Sequence, residues 1–188
     1  MATIKERYAQ AVHSKALTVD PKTVMSDTDV LGAMGLAGKY LASGRNAMGE
    51  PIKPAPLAVP LERLLAGDNN AAHEVVRVLG ALVFEQSWTI RVRITRGQAE
   101  DMARACLAWH RDGRCNPCGG LGELVIPGTR TLGAQCGHCH GTGKIAFEPH
   151  FRHEWQELAR WAVAEMDRAA GRAGPEAMKA LAPKLSLD

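Results

Sequence analysis

Cys115-Asn-Pro-Cys118-Gly-Gly-Leu-Gly122 and Cys136-Gly-His-Cys139-His-Gly-Thr-Gly143 repeat one pattern, Cys-x-x-Cys-x-Gly-x-Gly, with 17 residues between the pairs. Four thiolates complete a tetrahedral shell around zinc, and two residues between cysteines let one tight turn supply two ligands. Paired turns about 15–20 residues apart are a zinc-binding spacing. The trailing glycines suit a chain bending around an ion, which needs positive φ and close backbone approach. Cys115, Cys118, Cys136 and Cys139 are therefore the expected ligands of one zinc ion, and His138 or His140 is the alternative donor within the second turn. Four protein ligands leave no position for water or substrate, so the ion is expected to be structural. Two redox pairs or a disulfide framework are the competing reading, although a redox pair needs only one such turn.

Little else in the chain suggests catalysis. There is no G-x-x-x-x-G-K-[ST] phosphate loop and no H-E-x-x-H pair. Gly119-Gly-Leu-Gly122 lacks the strand and helix that a dinucleotide fingerprint requires. We expect neither an enzyme nor a small-molecule substrate. A net charge of +3 and a pI near 8.7 admit nucleic acid as a partner without demanding it. The fifth cysteine, Cys106, falls on a helical apolar stripe and is expected to be a buried thiol, which suits a reducing compartment. With no basic-then-apolar leader and no run of eighteen apolar residues, a soluble cytoplasmic protein is expected, with no membrane partner.

The elements around the cysteines are mainly helical. Residues 1–25 form an arm, and residues 26–45 a helix with Val30, Met34, Ala37, Tyr40 and Leu41 at helical spacing. Four prolines between Pro51 and Pro60 make residues 46–60 a linker. Residues 61–170 form a helical domain into which a zinc finger, residues 113–145, is inserted. Within it, residues 71–86 are one helix. Residues 88–94 alternate in polarity, so a short strand and a continued helix are both open there. Thr95-Arg-Gly-Gln98 is a capping box that starts the helix before the finger. Glu123–Ile126 and Thr129–Leu132 make a β-ribbon about Pro127-Gly128. Phe151, Trp155, Leu158, Ala162, Met166 and Ala169 line the clearest amphipathic helix, and residues 171–188 are a tail with at most a short helix. The expected fold class is mainly α, with a small inserted four-cysteine β-ribbon finger.

The polar side of that last helix carries Arg152, Gln156 and Arg160, side chains able to make bidentate contacts to guanine and adenine edges. Arg114 and Lys144 flank the finger and suit phosphates. Glu154, Glu157 and Glu165 share the helix, so a merely solvated face is the competing reading.

Thr28-Asp-Val-Leu-Gly-Ala-Met-Gly35, together with the double knuckle Cys115 to Gly143, the helices beside it and Trp155, resembles the lambda-type Q antitermination proteins of lambdoid phages. The knuckle alone also resembles that of J-domain co-chaperones, which carry four copies and a His-Pro-Asp motif; this chain has two copies and no His-Pro-Asp. The resemblance implies a factor that binds a double-stranded DNA element at a phage late promoter. It further implies engagement of sigma-paused bacterial RNA polymerase near the RNA exit channel, and passage with it through terminators in the host cytoplasm. It also implies a split helix-turn-helix, with the finger between a positioning helix (residues 98–110) and a recognition helix (residues 150–168). Residues 143–155 are shorter than the family's corresponding stretch. The runner-up is an adaptor or co-chaperone-like zinc module for protein partners, and a thiol oxidoreductase stands third.

Overall fold

Helical periodicity and capping dominate the chain, and the computed structural model, which describes residues 10–11, 27–43 and 54–185, is mainly α. Helices α1 (Asp27–Ser43), α2 (Ala58–Leu65), α3 (Ala71–Thr89) and α4 (Arg96–Arg111) precede an antiparallel ribbon of β1 (Glu123–Val125) and β2 (Leu132–Gln135). Helices α5 (His153–Ala169) and α6 (Ala173–Leu185) follow. The expected arm, residues 1–25, lies outside the described residues apart from 10 and 11, as do residues 46–53 of the expected linker and the last three residues of the expected tail. No helix among the described residues is long and apolar enough to cross a membrane. The chain forms two compact units, Met1–Leu79 with Ala164–Asp188, and Gly80–Val163.

In the first unit, α1 packs mainly against α6, and α2 touches both. Val30, Ala33, Met34, Ala37 and Leu41 are buried on α1, and Ala173, Ala177 and Leu181 on α6. Two expectations change here. The short helix allowed within residues 171–188 forms as α6, but it is packed rather than a tail, because its apolar face lies against α1. Residues 54–60 are not a free linker either. Ala55 donates its amide to the Leu41 carbonyl at 2.7 Å, Leu57 is fully buried, and Pro60 lies in the first turn of α2. Proline is tolerated there because first-turn amides have no intrahelical acceptor. Arg63 joins the end of α2 to the start of α3 through Asp68 (2.6 Å) and Glu74 (3.0 Å).

In the second unit, α3 and α4 approach closely at Gly80, where any Cβ would press on Glu100. The capping box forms as expected. The Gln98 amide donates to Thr95 Oγ1 at 3.3 Å, and the Thr95 amide donates to Gln98 Oε1 at 2.9 Å. Thr95→Ala is expected to cost about 1 kcal/mol, measurable by denaturant unfolding of the whole protein. Ala99, Met102, Ala103 and Cys106 are buried on α4, and Leu158, Ala159 and Ala162 on α5. Cys106 Sγ lies 3.8 Å from the Ala159 carbonyl, which brings α4 and α5 into contact, and burial pushes its thiol up to about 12. That is the expected inert core cysteine.

Residues 88–94 resolve as helix through Thr89 followed by a turn, not a strand. The turn is a Schellman cap: Val92 donates to the Ser87 carbonyl at 2.8 Å and Arg91 to that of Trp88 at 3.3 Å. Arg91 occupies the left-handed position of that cap at φ 59°, where glycine is favoured by about 1 kcal/mol. In the ribbon, strand β2 begins at Leu132 rather than at Thr129. Pro127 and Gly128 (φ 79°) form a turn closed by the Thr129 amide on the Ile126 carbonyl, and the Ile126 amide donates across to the Thr131 carbonyl at 3.0 Å just before β2 begins.

Candidate metal centre

The four cysteines of the repeat meet at one point. Cys115, Cys118, Cys136 and Cys139 are all buried, and their sulfurs lie within 4.8 Å of one another. Cys115 Sγ is 3.8 Å from Cys136 Sγ, and Cys118 Sγ is 3.7 Å from Cys139 Sγ. A tetrahedron with metal–sulfur bonds of about 2.3 Å has edges of about 3.8 Å, so the set fits a four-coordinate metal ion. Among the described residues the cluster consists of these cysteines alone, and His138 and His140 are exposed outside it.

The two knuckles interlock about a pseudo-twofold axis that equates each residue with the one 21 positions on, the separation of both sulfur pairs. The Cys115 amide donates to the Gly143 carbonyl, and the Cys136 amide to the Gly122 carbonyl, each at 2.8 Å. Glu123 pairs with Gln135, and its symmetry mate is the bridge between Lys144 and Arg114. Gly122 and Gly143 occupy equivalent places at φ 80° and 71°. A Cβ on Gly122 would overlap the Gly141 carbonyl oxygen, and one on Gly143 would overlap that of Gly120. The last glycine of each copy is therefore where the other copy's backbone passes. The copies differ in residue type at four equivalent positions within the repeat (116/137, 117/138, 119/140 and 121/142); at the last, exposed Leu121 stands against Thr142, whose hydroxyl donates to the Cys139 carbonyl at 2.8 Å.

Burial pushes the Cys115 thiol up to about 12. Burial acts in the same direction on Cys118. Amide donation from Gly122 and Gly120 and the thiols of Cys115 and Cys139 outweigh it, and the group comes down to about 7. The Gly122 amide lies 3.3 Å from Cys118 Sγ. Amides pointing at sulfur favour thiolate, but four adjacent negative charges need a cation among them.

The module is tied to α4 by its own core. The Ile145 amide donates to the Gly113 carbonyl at 2.8 Å, and Ile145 packs on the cysteine cluster. Trp109 Nε1 donates to the Ile145 carbonyl at 2.7 Å, and the Trp109 ring lies against Phe147 with centroids 4.6 Å apart. Phe147 in turn meets Phe151 edge-on at 6.5 Å, just ahead of α5.

Of the basic residues singled out from sequence, Arg114 and Lys144 are brought side by side by the backbone bridge. Arg114 is shared with Asp112 at 2.8 Å, and Lys144 Nζ lies 5.2 Å from the Trp109 ring centroid. Arg152, Gln156 and Arg160 belong to a different element. Arg152 precedes the first turn of α5 instead of lying within it, since the helix begins at His153 and not at residue 150. Its guanidinium stacks 5.1 Å from the Trp155 centroid. Gln156 is half-buried with its amide nitrogen 3.5 Å from the Phe151 carbonyl, and Arg160 is exposed.

Sequence patterns alone miss two surfaces. Leu121 on the first knuckle and Leu124, Val125, Ile126 and Leu132 along the ribbon are all exposed, and Trp88 is 73% exposed at the end of α3. An aromatic at helical spacing is ordinarily core, so only the termination of α3 at Thr89 could have signalled the second.

The fold and the sulfur cluster define a mainly helical protein carrying an interlocked four-cysteine module that could hold a metal ion. No family model, curated protein or solved structure matches the chain.

Proposed function

We propose that the protein is a DNA-binding transcription antitermination factor of the lambda-type Q kind, held together by one structural zinc ion and acting on sigma-paused RNA polymerase in a bacterial cytoplasm. Zinc is the metal that a closed tetrahedral thiolate set favours, and its role is architectural. The observation that carries the reading is the placement of the metal module between α4 and α5, which touch through Cys106 and Ala159. That arrangement supports a split helix-turn-helix in which α4 positions α5. Gln156 and Arg160, four residues apart, share one side of α5, and Arg152 lies immediately before its first turn; there they would meet base edges. Arg114 and Lys144 would hold phosphates from the finger.

Arg160→Ala is expected to weaken binding to promoter duplex by about tenfold with metal content and thermal unfolding unchanged. Unaltered mobility shifts would remove α5 from the interface. The function itself is tested by transcription from the phage's own late promoter through a downstream terminator, with host polymerase and its sigma factor. Read-through should require both the protein and the promoter-proximal DNA.

The exposed apolar ribbon favours a second reading, an adaptor or co-chaperone-like module that grips protein partners. Tighter binding to a denatured polypeptide than to any duplex, with no read-through, would establish that reading instead.

A further inference from the structure

Trp88 is the most exposed large apolar side chain among the described residues, at 73%. Phe84 braces it edge-to-face at 6.1 Å, and the Arg96 guanidinium lies 5.3 Å from the Phe84 centroid. Trp88 lines a cleft with Ser87, Arg91, Val92, Arg93 and Ile94. Among the described residues the lining holds two arginines and no carboxylate, and neither guanidinium has an acidic partner. Arg91 is kept at the left-handed cap position where glycine would relieve the backbone. The cleft therefore presents a free indole face beside two unneutralised cations.

We propose that this cleft binds an unpaired segment of nucleic acid, with one base stacked on Trp88 and the adjoining phosphates held by Arg91 and Arg93. Stacking on an aromatic face suits any base, but only one that has left its duplex, because a paired base has its faces covered by its neighbours. The cations then follow the backbone. The site borders the first turn of α5, since Trp155 Nε1 donates to the Arg93 carbonyl at 3.3 Å and Arg152 stacks on Trp155. It does not rest on duplex recognition by α5. A separated DNA strand and a transcript offer the same chemistry, and the assay tells them apart.

The test is fluorescence anisotropy of the full-length, metal-loaded protein with labelled oligothymidylate, oligouridylate and a duplex of mixed sequence. Either single strand should bind, and the tighter of the two names the source. Trp88→Ala should weaken that binding about tenfold, and Trp88→Phe should restore most of it. Arg91→Gly should reduce the salt-dependence slope by about 0.7 while Tm stays level or rises, a combination that a purely structural residue would not give. Arg160→Ala should leave single-strand binding untouched, so a failure of the duplex reading is seen separately. The proposal is overturned if neither single strand binds at low salt, or if Trp88→Ala binds like the wild type. It is also overturned if a denatured polypeptide competes for the cleft better than either oligonucleotide.

Discussion

Serine in place of Cys118 is expected to abolish metal binding and unfold residues 113–145 while α4 and α5 persist. Cys118 is one of four buried ligands, and its sulfur also accepts the Gly122 amide at 3.3 Å, so its loss opens the shell and the turn together. The module's packed interior is little more than the four sulfurs and Ile145, far too small to stand without the ion. Apparent metal-binding free energies of structural zinc modules are about 10–16 kcal/mol, and in such modules binding free energy appears as folding free energy. Metal analysis should fall from one ion per chain to none, with helical circular dichroism changed only slightly. A chelator should reproduce the effect on the wild type. Protons compete with metal for thiolate, so affinity should fall as pH drops, already below the raised range of Cys115 and more steeply below about 7, to which Cys118 is lowered. Full metal occupancy in Cys118→Ser would show that the four sulfurs do not form the site.

Alanine at Gly122 or at Gly143 is expected to be nearly as damaging, and the two should be damaging to a similar degree. Both positions have left-handed φ, and at both the added Cβ runs into a carbonyl of the opposite knuckle, Gly141 and Gly120 respectively. A backbone obstacle cannot rotate away, and relieving it means parting the Cys115–Gly143 and Cys136–Gly122 hydrogen bonds. Backbone strain and overpacking together cost about 2–5 kcal/mol, which corresponds to metal affinity at least about thirtyfold weaker. Gly137→Ala is the control, because its Cβ would meet open space. Competition against a chromogenic chelator reads all three. Equal affinities for Gly122→Ala and Gly137→Ala would refute the interlock.

The chemistry and most of the helices were legible from local patterns. Cys-x-x-Cys spacing is a property of a single turn, so two copies announce a four-sulfur shell before any fold is known. The same holds for Thr95 and Gln98, whose capping bonds close within one helical turn. Mainly helical character follows from periodicity, which every amphipathic segment carries in itself. The pairings between distant segments were beyond reach. Residues 173–185 read as a tail with at most a short helix because alanine-rich stretches have little apolar bulk, yet Ala173, Ala177 and Leu181 are buried where α6 packs on α1. Pro60 punctuates the sequence but lies in the first turn of a helix, where the missing amide costs nothing. The glycines suggest bending, whereas their stricter requirement, passage of a carbonyl from the other knuckle, exists only once both copies have folded together. Exposure is likewise settled by what packs nearby. Trp88 and the ribbon's Leu124, Val125 and Ile126 have core residue types but find no covering element among the described residues. Local pattern specifies which atoms can hold a metal and which segments coil. Tertiary structure alone decided which faces meet and which apolar and cationic groups remain at the surface, because burial depends on neighbours far along the chain.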